Sequence, residues 1–97
     1  MMKKIQAIAS GKVQGVGFRM YTQSKADELG VLGFVQNLDD GTVKIVAVGE
    51  DDKVDALIDW AKSGSPPAQV NELQTTALEY QAGEFTSFEI RRFRPNQ

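Results

Sequence analysis

Over residues 3–10 apolar and polar side chains alternate, with Ile5, Ala7 and Ala9 set against Lys4, Gln6 and Ser10. A period of two belongs to a strand with one buried face, and Ile8 is the apolar exception on the polar side. Across residues 20–29 the period lengthens. Phe18, Thr22, Ala26 and Leu29 fall on one face of a helix that Gly30 is suited to terminate. Strand patterns return at Leu32–Asn37 and at residues 42–49, separated by Asp39-Asp40-Gly41, a strong hairpin signal. In the second of these, Val43, Ile45 and Ala47 share one face while Val46 and Val48 occupy the other, the pattern of a central strand.

Asp51 or Asp52 can cap a second helix reaching Lys62, along which Val54, Leu57, Ile58 and Ala61 recur at i, i+3, i+4 and i+7. Trp60 lies outside that stripe and covers the helix edge, and Ser63-Gly64-Ser65-Pro66-Pro67 stops the helix. Residues 70–80 and 85–93 read as extended, the first less regularly. The resulting order is β-α-β-β-α-β with a last short strand. It predicts an α+β fold, the ferredoxin-like split βαβ sandwich, in which an antiparallel sheet carries two helices on one face. The right-handed crossover rule leaves few other topologies, and in the split βαβ arrangement the first and third strands are neighbours.

Composition narrows the picture without changing it. The 97 residues suffice for a single domain and leave no room for a second core. At 41% hydrophobic and 25% charged the chain is of ordinary globular composition. A net charge of −2 argues against bulk attraction to nucleic acid or an anionic membrane, so any anion site must be local. No apolar run approaches the ~20 residues of a spanning helix, and Met1-Met2-Lys3-Lys4 lacks a following apolar segment. The expectation is a cytoplasmic monomer. The sequence contains no Cys and no His, which excludes disulfides, thiolate metal sites and cysteine nucleophiles, and removes the commonest general base. An enzyme built from this chain runs its reaction without an imidazole.

The candidate chemistry lies between the first strand and the first helix. Gly11-Lys12-Val13-Gln14-Gly15-Val16-Gly17-Phe18-Arg19 places three glycines within seven residues. Glycine permits the backbone to turn successive N–H groups toward a bound anion, and a helix starting behind the turn adds unpaired N–H groups. Arg19 contributes a planar, permanently charged donor fork matched to phosphate. Asn37 closes the second strand, and the fold brings that strand end near the glycine loop. Asn37 and Arg19 are therefore expected to face one anion. Lys12 and Lys44 read as solvated charges, Phe18 as core, and Asp39 and Asp40 as turn residues.

The stretches GKVQGVGFR and GFVQNLDDGTVKIVAVGE resemble the two signatures of the acylphosphatase family, and the likeness extends to SGSPPAQV and the closing FEIRRF. The resemblance implies hydrolysis of a carboxyl–phosphate anhydride to carboxylate and inorganic phosphate, with no metal or cofactor. It assigns phosphate binding to Arg19 and to the backbone N–H groups of Gln14, Gly15, Val16, Gly17 and Phe18. It assigns orientation of the attacking water to Asn37. Phe34 stands where the family often has Trp or Tyr. Gln36 stands where it often has Arg, which reduces positive charge near the expected site.

An acyl phosphate departs as a carboxylate whose conjugate acid titrates near ~4, so departure at neutral pH needs no general acid. Phosphoryl transfer is mostly positioning and charge stabilisation, and by elimination the proton of the attacking water goes to the substrate's own phosphate. A regulatory domain that binds a phosphorylated metabolite without turnover would use the same loop. An RNA-binding platform would need exposed aromatics on the central strand, and residues 43–48 have none. The chain is also similar to the acylphosphatase-like domain of larger carbamoyl-transferring enzymes, although its length favours a free-standing enzyme.

Overall fold

The computed structural model describes residues 1–64 and 66–92. Seven elements follow in order: β1 (Met2–Lys12), α1 (Phe18–Leu29), β2 (Leu32–Asn37), β3 (Val43–Glu50), α2 (Asp51–Ser63), β4 (Gln69–Leu78) and β5 (Phe88–Arg91). The strands form one sheet in the order β4-β1-β3-β2-β5, with β3 at its centre. The valine-rich pattern of β3 has its cause here, since Val43, Ile45 and Ala47 meet the helices while Val46 and Val48 belong to a smaller cluster on the outer face.

The main core lies between the sheet and the helices. Ala7, Ala9, Val35, Val43 and Ile45 from the strands join Phe18 and Ala26 of α1 and Val54, Leu57 and Ala61 of α2. Trp60 stacks on Phe18 with ring centroids 6.1 Å apart and 4° between planes, so the residue expected to cover a helix edge ties α2 to α1. α1 begins at Phe18, two residues before the apolar period becomes clear, because the loop delivers the chain directly into the helix at Gly17.

Two expectations are corrected. No aspartate caps α2: the cap position is Glu50, without a side-chain bond, and the Asp51 N–H donates to the Met1 carbonyl at 2.8 Å. The start of the chain, folded back beside β3, supplies the acceptor that a capping side chain would otherwise provide. The sheet is mixed, not antiparallel, because β5 runs parallel to β2 with Gly33 opposite Phe88 and Gln36 opposite Arg91. β4 ends where β2 begins. A chain crossing the sheet at that end re-enters alongside β2 in the same direction. The crossing segment packs Tyr80 and Phe85 over Phe34, Val46 and Val48, and Lys4 Nζ binds both Glu84 carboxylate oxygens at 2.9 and 2.8 Å. The outer aromatic Phe34 is thus covered, not displayed as a nucleic-acid platform. The expected last strand over residues 85–93 is shorter, and its residue 93 lies outside the described residues, as does Ser65.

The parallel entry of β5 also positions the site. β1, β2 and β5 point the same way, so their C-terminal ends gather at one end of the sheet. The glycine loop, Asn37 and Arg91 all lie there.

Gly33 holds the sheet together at a close approach. Its φ is 133°, and a Cβ there would lie 1.8 Å from the Val46 carbonyl oxygen. Backbone cannot yield as a side chain tip does. Gly33→Ala is expected to cost at least about 3 kcal/mol. In a domain of this size that lowers Tm by roughly 12 °C or more, readable in a thermal melt.

Candidate active site

The loop between β1 and α1 hangs between two fully buried anchors, Val13 and Phe18, each 1% exposed. Phe18 is fixed twice over, by the Trp60 stack and by the buried Thr22 Oγ1, which donates to the Phe18 carbonyl at 2.7 Å. Between the anchors Gly15 and Gly17 take left-handed φ values of 75° and 78°. A left-handed residue beside a right-handed or turn residue aims successive N–H groups to one side, the backbone of an anion nest, and glycine takes the left-handed place without the strain a Cβ brings. The first backbone bond of α1 runs from the Tyr21 N–H to the Gly17 carbonyl. The preceding N–H groups, including that of Phe18, therefore have no helical acceptor and face the loop end of the helix, where the dipole is positive. The loop end of α1 is therefore rich in main-chain donors, the arrangement the expected anion site requires.

Arg19, the second residue of α1, is half-buried. Its Nη1 donates to the Arg91 carbonyl at 3.2 Å, at the end of β5. One bond uses one of the five N–H donors of the guanidinium, so the anchor orients the fork and leaves the remainder for a ligand. Val13, Gly15, Gly17, Phe18 and Arg19 surround a cavity of about 260 Å³. Arg19 is its charged wall.

Asn37 ends β2 on the same side of the sheet as Val35, facing the helices, and pairs with Val43 of β3. Its Oδ1 is buried and takes no hydrogen bond from any described residue. A buried amide oxygen without a donor costs about 1–3 kcal/mol, so its persistence in a protein points to use.

Two tethers hold the loop and α1 to the strand ends around Asn37, although Asn37 itself is not among the described residues that line the Arg19 cavity. The Gln14 side chain donates through Nε2 to the carbonyls of Leu38 and Thr42, both at 2.8 Å, which ties the glycine loop to the turn after Asn37. Arg19 is held to Arg91, whose partner across the sheet is Gln36, the chain neighbour of Asn37. Sequence reasoning gave Gln14 only a backbone N–H. The side-chain clamp was missed because its partners lie 24 and 28 residues away.

The remaining expected residues are sorted by which face they occupy. Asp40 serves the turn: its Oδ1 accepts from the Thr42 N–H at 3.0 Å and the Thr42 hydroxyl at 2.6 Å. Those bonds hold the Asp40 carboxyl below its ordinary pKa, the hydroxyl contributing most. Lys44 is over the Phe34 ring on the outer face, 5.8 Å from its centroid, remote from the loop. Gln36 also lies on that face and donates to the Arg92 carbonyl at 3.0 Å. The charge lost by having Gln rather than Arg there is therefore absent from the opposite face, not from the cavity wall. The Arg91 guanidinium occupies that outer ring instead, 3.8 Å from the centroid of Phe34.

A sequence model described as Acylphosphatase matches residues 5–90. The chain is 49% identical over 88 residues to an acylphosphatase of Acaryochloris marina, covering 91% of this chain and 92% of that protein. It is also similar to the solved structure of an acylphosphatase from Coxiella burnetii, with TM-score 0.86, 37% identity and 93% of each chain covered. A third likeness is to full-length HypF in a phosphate- and nucleotide-bound form, with TM-score 0.85 and 26% identity. There 98% of this chain matches 13% of the other.

Proposed function

The chain belongs to the acylphosphatase family and hydrolyses acyl phosphates, and we propose that it does so by attack of water on phosphorus, with Arg19 and the loop amides holding the phosphoryl group and Asn37 orienting the water. The observation that carries this mechanism is the buried Oδ1 of Asn37, which takes no hydrogen bond from any described residue, at the strand end to which Gln14 ties the anion loop. An amide oxygen in that state accepts a hydrogen bond from water and so aims the water's lone pair at phosphorus.

The phosphoryl oxygens bind the N–H groups of Gln14, Gly15, Val16, Gly17 and Phe18 and the Arg19 fork. These donors gain strength as charge spreads over the phosphoryl oxygens. Water oxygen forms the new bond to phosphorus while the bridging P–O bond breaks. The electron pair of that bond leaves on the carboxylate. The water's proton passes to a phosphate oxygen, and the products are a carboxylate and inorganic phosphate. No step needs an imidazole, in keeping with a sequence that has none.

Hydrolysis of acetyl phosphate in 18O-labelled water with EDTA present tests the reading. Label is expected in phosphate and not in acetate. Label in acetate would place the attack on the carbonyl carbon and remove the mechanism.

Gln14→Ala is expected to fold, with Tm lower by about 5–10 °C for the loss of two hydrogen bonds. Its kcat is expected to fall about tenfold, because a loosened loop no longer meets Asn37 in register. Steady-state kinetics and a thermal melt read both effects.

The proposal treats residues 1–97 as one acylphosphatase-like domain acting as a cytoplasmic monomer on a small-molecule substrate. Among the described residues no helix is long and apolar enough to cross a membrane.

A further inference from the structure

The cavity beside Arg19 is larger than a phosphoryl group fills and holds the volume of several waters, at ~30 Å³ each. Its deep wall is Val13, Phe18 and the loop. Its outer wall is Met20 of α1 and Ile90 of β5. Met20 is 57% exposed and Ile90 39%, two of only six large apolar side chains exposed among the described residues. Ile90 is on the helix-facing side of β5, opposite Val35, so the sheet itself turns it toward the loop. Arg19 supplies the lone charge among the described residues lining the cavity, and the phosphoryl group claims it.

We infer that Met20 and Ile90 form the acyl subsite, and that the substrates best served are acyl phosphates with an uncharged, apolar acyl group. This rests on the acylphosphatase reading of the same cavity. With the phosphoryl group held at the loop, the acyl chain lies along the cavity against its exposed apolar lining, Met20 and Ile90. Each methylene laid against them leaves water and strengthens binding. A second carboxylate on the acyl group would be desolvated against methionine and isoleucine without a partner. Met20 and Ile90 thus determine specificity without touching the phosphorus.

The test is kcat/KM for acetyl, butyryl, hexanoyl and succinyl phosphate, with wild type, Met20→Gln, Ile90→Thr and the double variant. Gln keeps a helix former of similar shape at position 20, and Thr keeps a β-branched residue in the strand. For wild type the value is expected to rise about twofold per methylene, about tenfold or more from acetyl to hexanoyl, because the groove covers only part of each methylene. Succinyl phosphate is expected to fall below butyryl phosphate. In the double variant the hexanoyl-to-acetyl ratio is expected to drop to about two or less, with each single variant between. A wild-type ratio near one, a ratio that survives the double substitution, or a preference for succinyl over butyryl phosphate overturns the acyl subsite. Failure of folded wild type to hydrolyse any of the four overturns the acylphosphatase reading itself, so the two failures are separable.

Discussion

Arg19→Ala is expected to lower kcat/KM for acetyl phosphate by about 10³-fold while leaving the fold intact. The side chain is half-buried at the start of α1, and its bond to a described residue is a single exposed contact with the Arg91 carbonyl. Alanine is a good helix former and leaves Phe18, the real anchor of this helix end, untouched. Loss of stability should therefore be small and loss of function large. The acidic balance of the chain sharpens the effect, since a net charge of −2 offers no diffuse positive field to compensate for one missing guanidinium. Arg19→Lys is expected to recover only part of the loss, because an ammonium cannot reproduce a fork that binds two phosphoryl oxygens and the Arg91 carbonyl together. Steady-state kinetics on variants matched by thermal melt check both statements.

Asn37→Ala is expected to lower kcat by roughly 10²-fold or more with the affinity for inorganic phosphate nearly unchanged. The split between turnover and binding distinguishes a residue that positions water from one that holds phosphate. Asn37 makes no contact that the sheet depends on among the described residues: its backbone pairing with Val43 belongs to any residue, and its Oδ1 takes no bond from any of them. Removing that oxygen also removes a buried, unsatisfied acceptor, so the alanine variant should be as stable as wild type or slightly more so. Stability gained together with activity lost is the signature of strain kept for function. Competition by inorganic phosphate measures binding, and phosphate release measures turnover.

Local patterning made most of the fold legible. The alternation in β1, the two-faced run of β3 and the spacing of Val54, Leu57, Ile58 and Ala61 each record which side of an element meets the core. The direction of β5 was not legible, because it depends on the path of the crossing segment and not on the strand's own residues. Tyr80 and Phe85 look like strand positions in the sequence but act as the cover of the outer face. The start of α2 escaped for a similar reason, since its acceptor comes from Met1, 50 residues earlier by number. In the site, the glycines and Arg19 announce an anion loop by residue type alone. The clamp of Gln14 onto Leu38 and Thr42 does not, because a glutamine side chain carries no sign of which distant carbonyls it will meet. The resemblance alone assigned orientation of the attacking water to Asn37, whereas the phosphate-binding fork of Arg19 was legible from its chemistry. The structure adds the tethers, from Gln14 to Leu38 and from Arg19 to Arg91, that hold the loop and α1 to the strand ends on either side of Asn37.

The central claim is that a main-chain anion loop and one guanidinium hold the phosphoryl group for hydrolysis by a water that Asn37 orients. Initial rates of phosphate release from acetyl phosphate, measured in EDTA for wild type and Arg19→Ala at equal folded concentration, test it most directly. Release by wild type that EDTA leaves unchanged and that collapses in the variant is the predicted result. No release from folded wild type, or release undiminished in Arg19→Ala, would contradict the account.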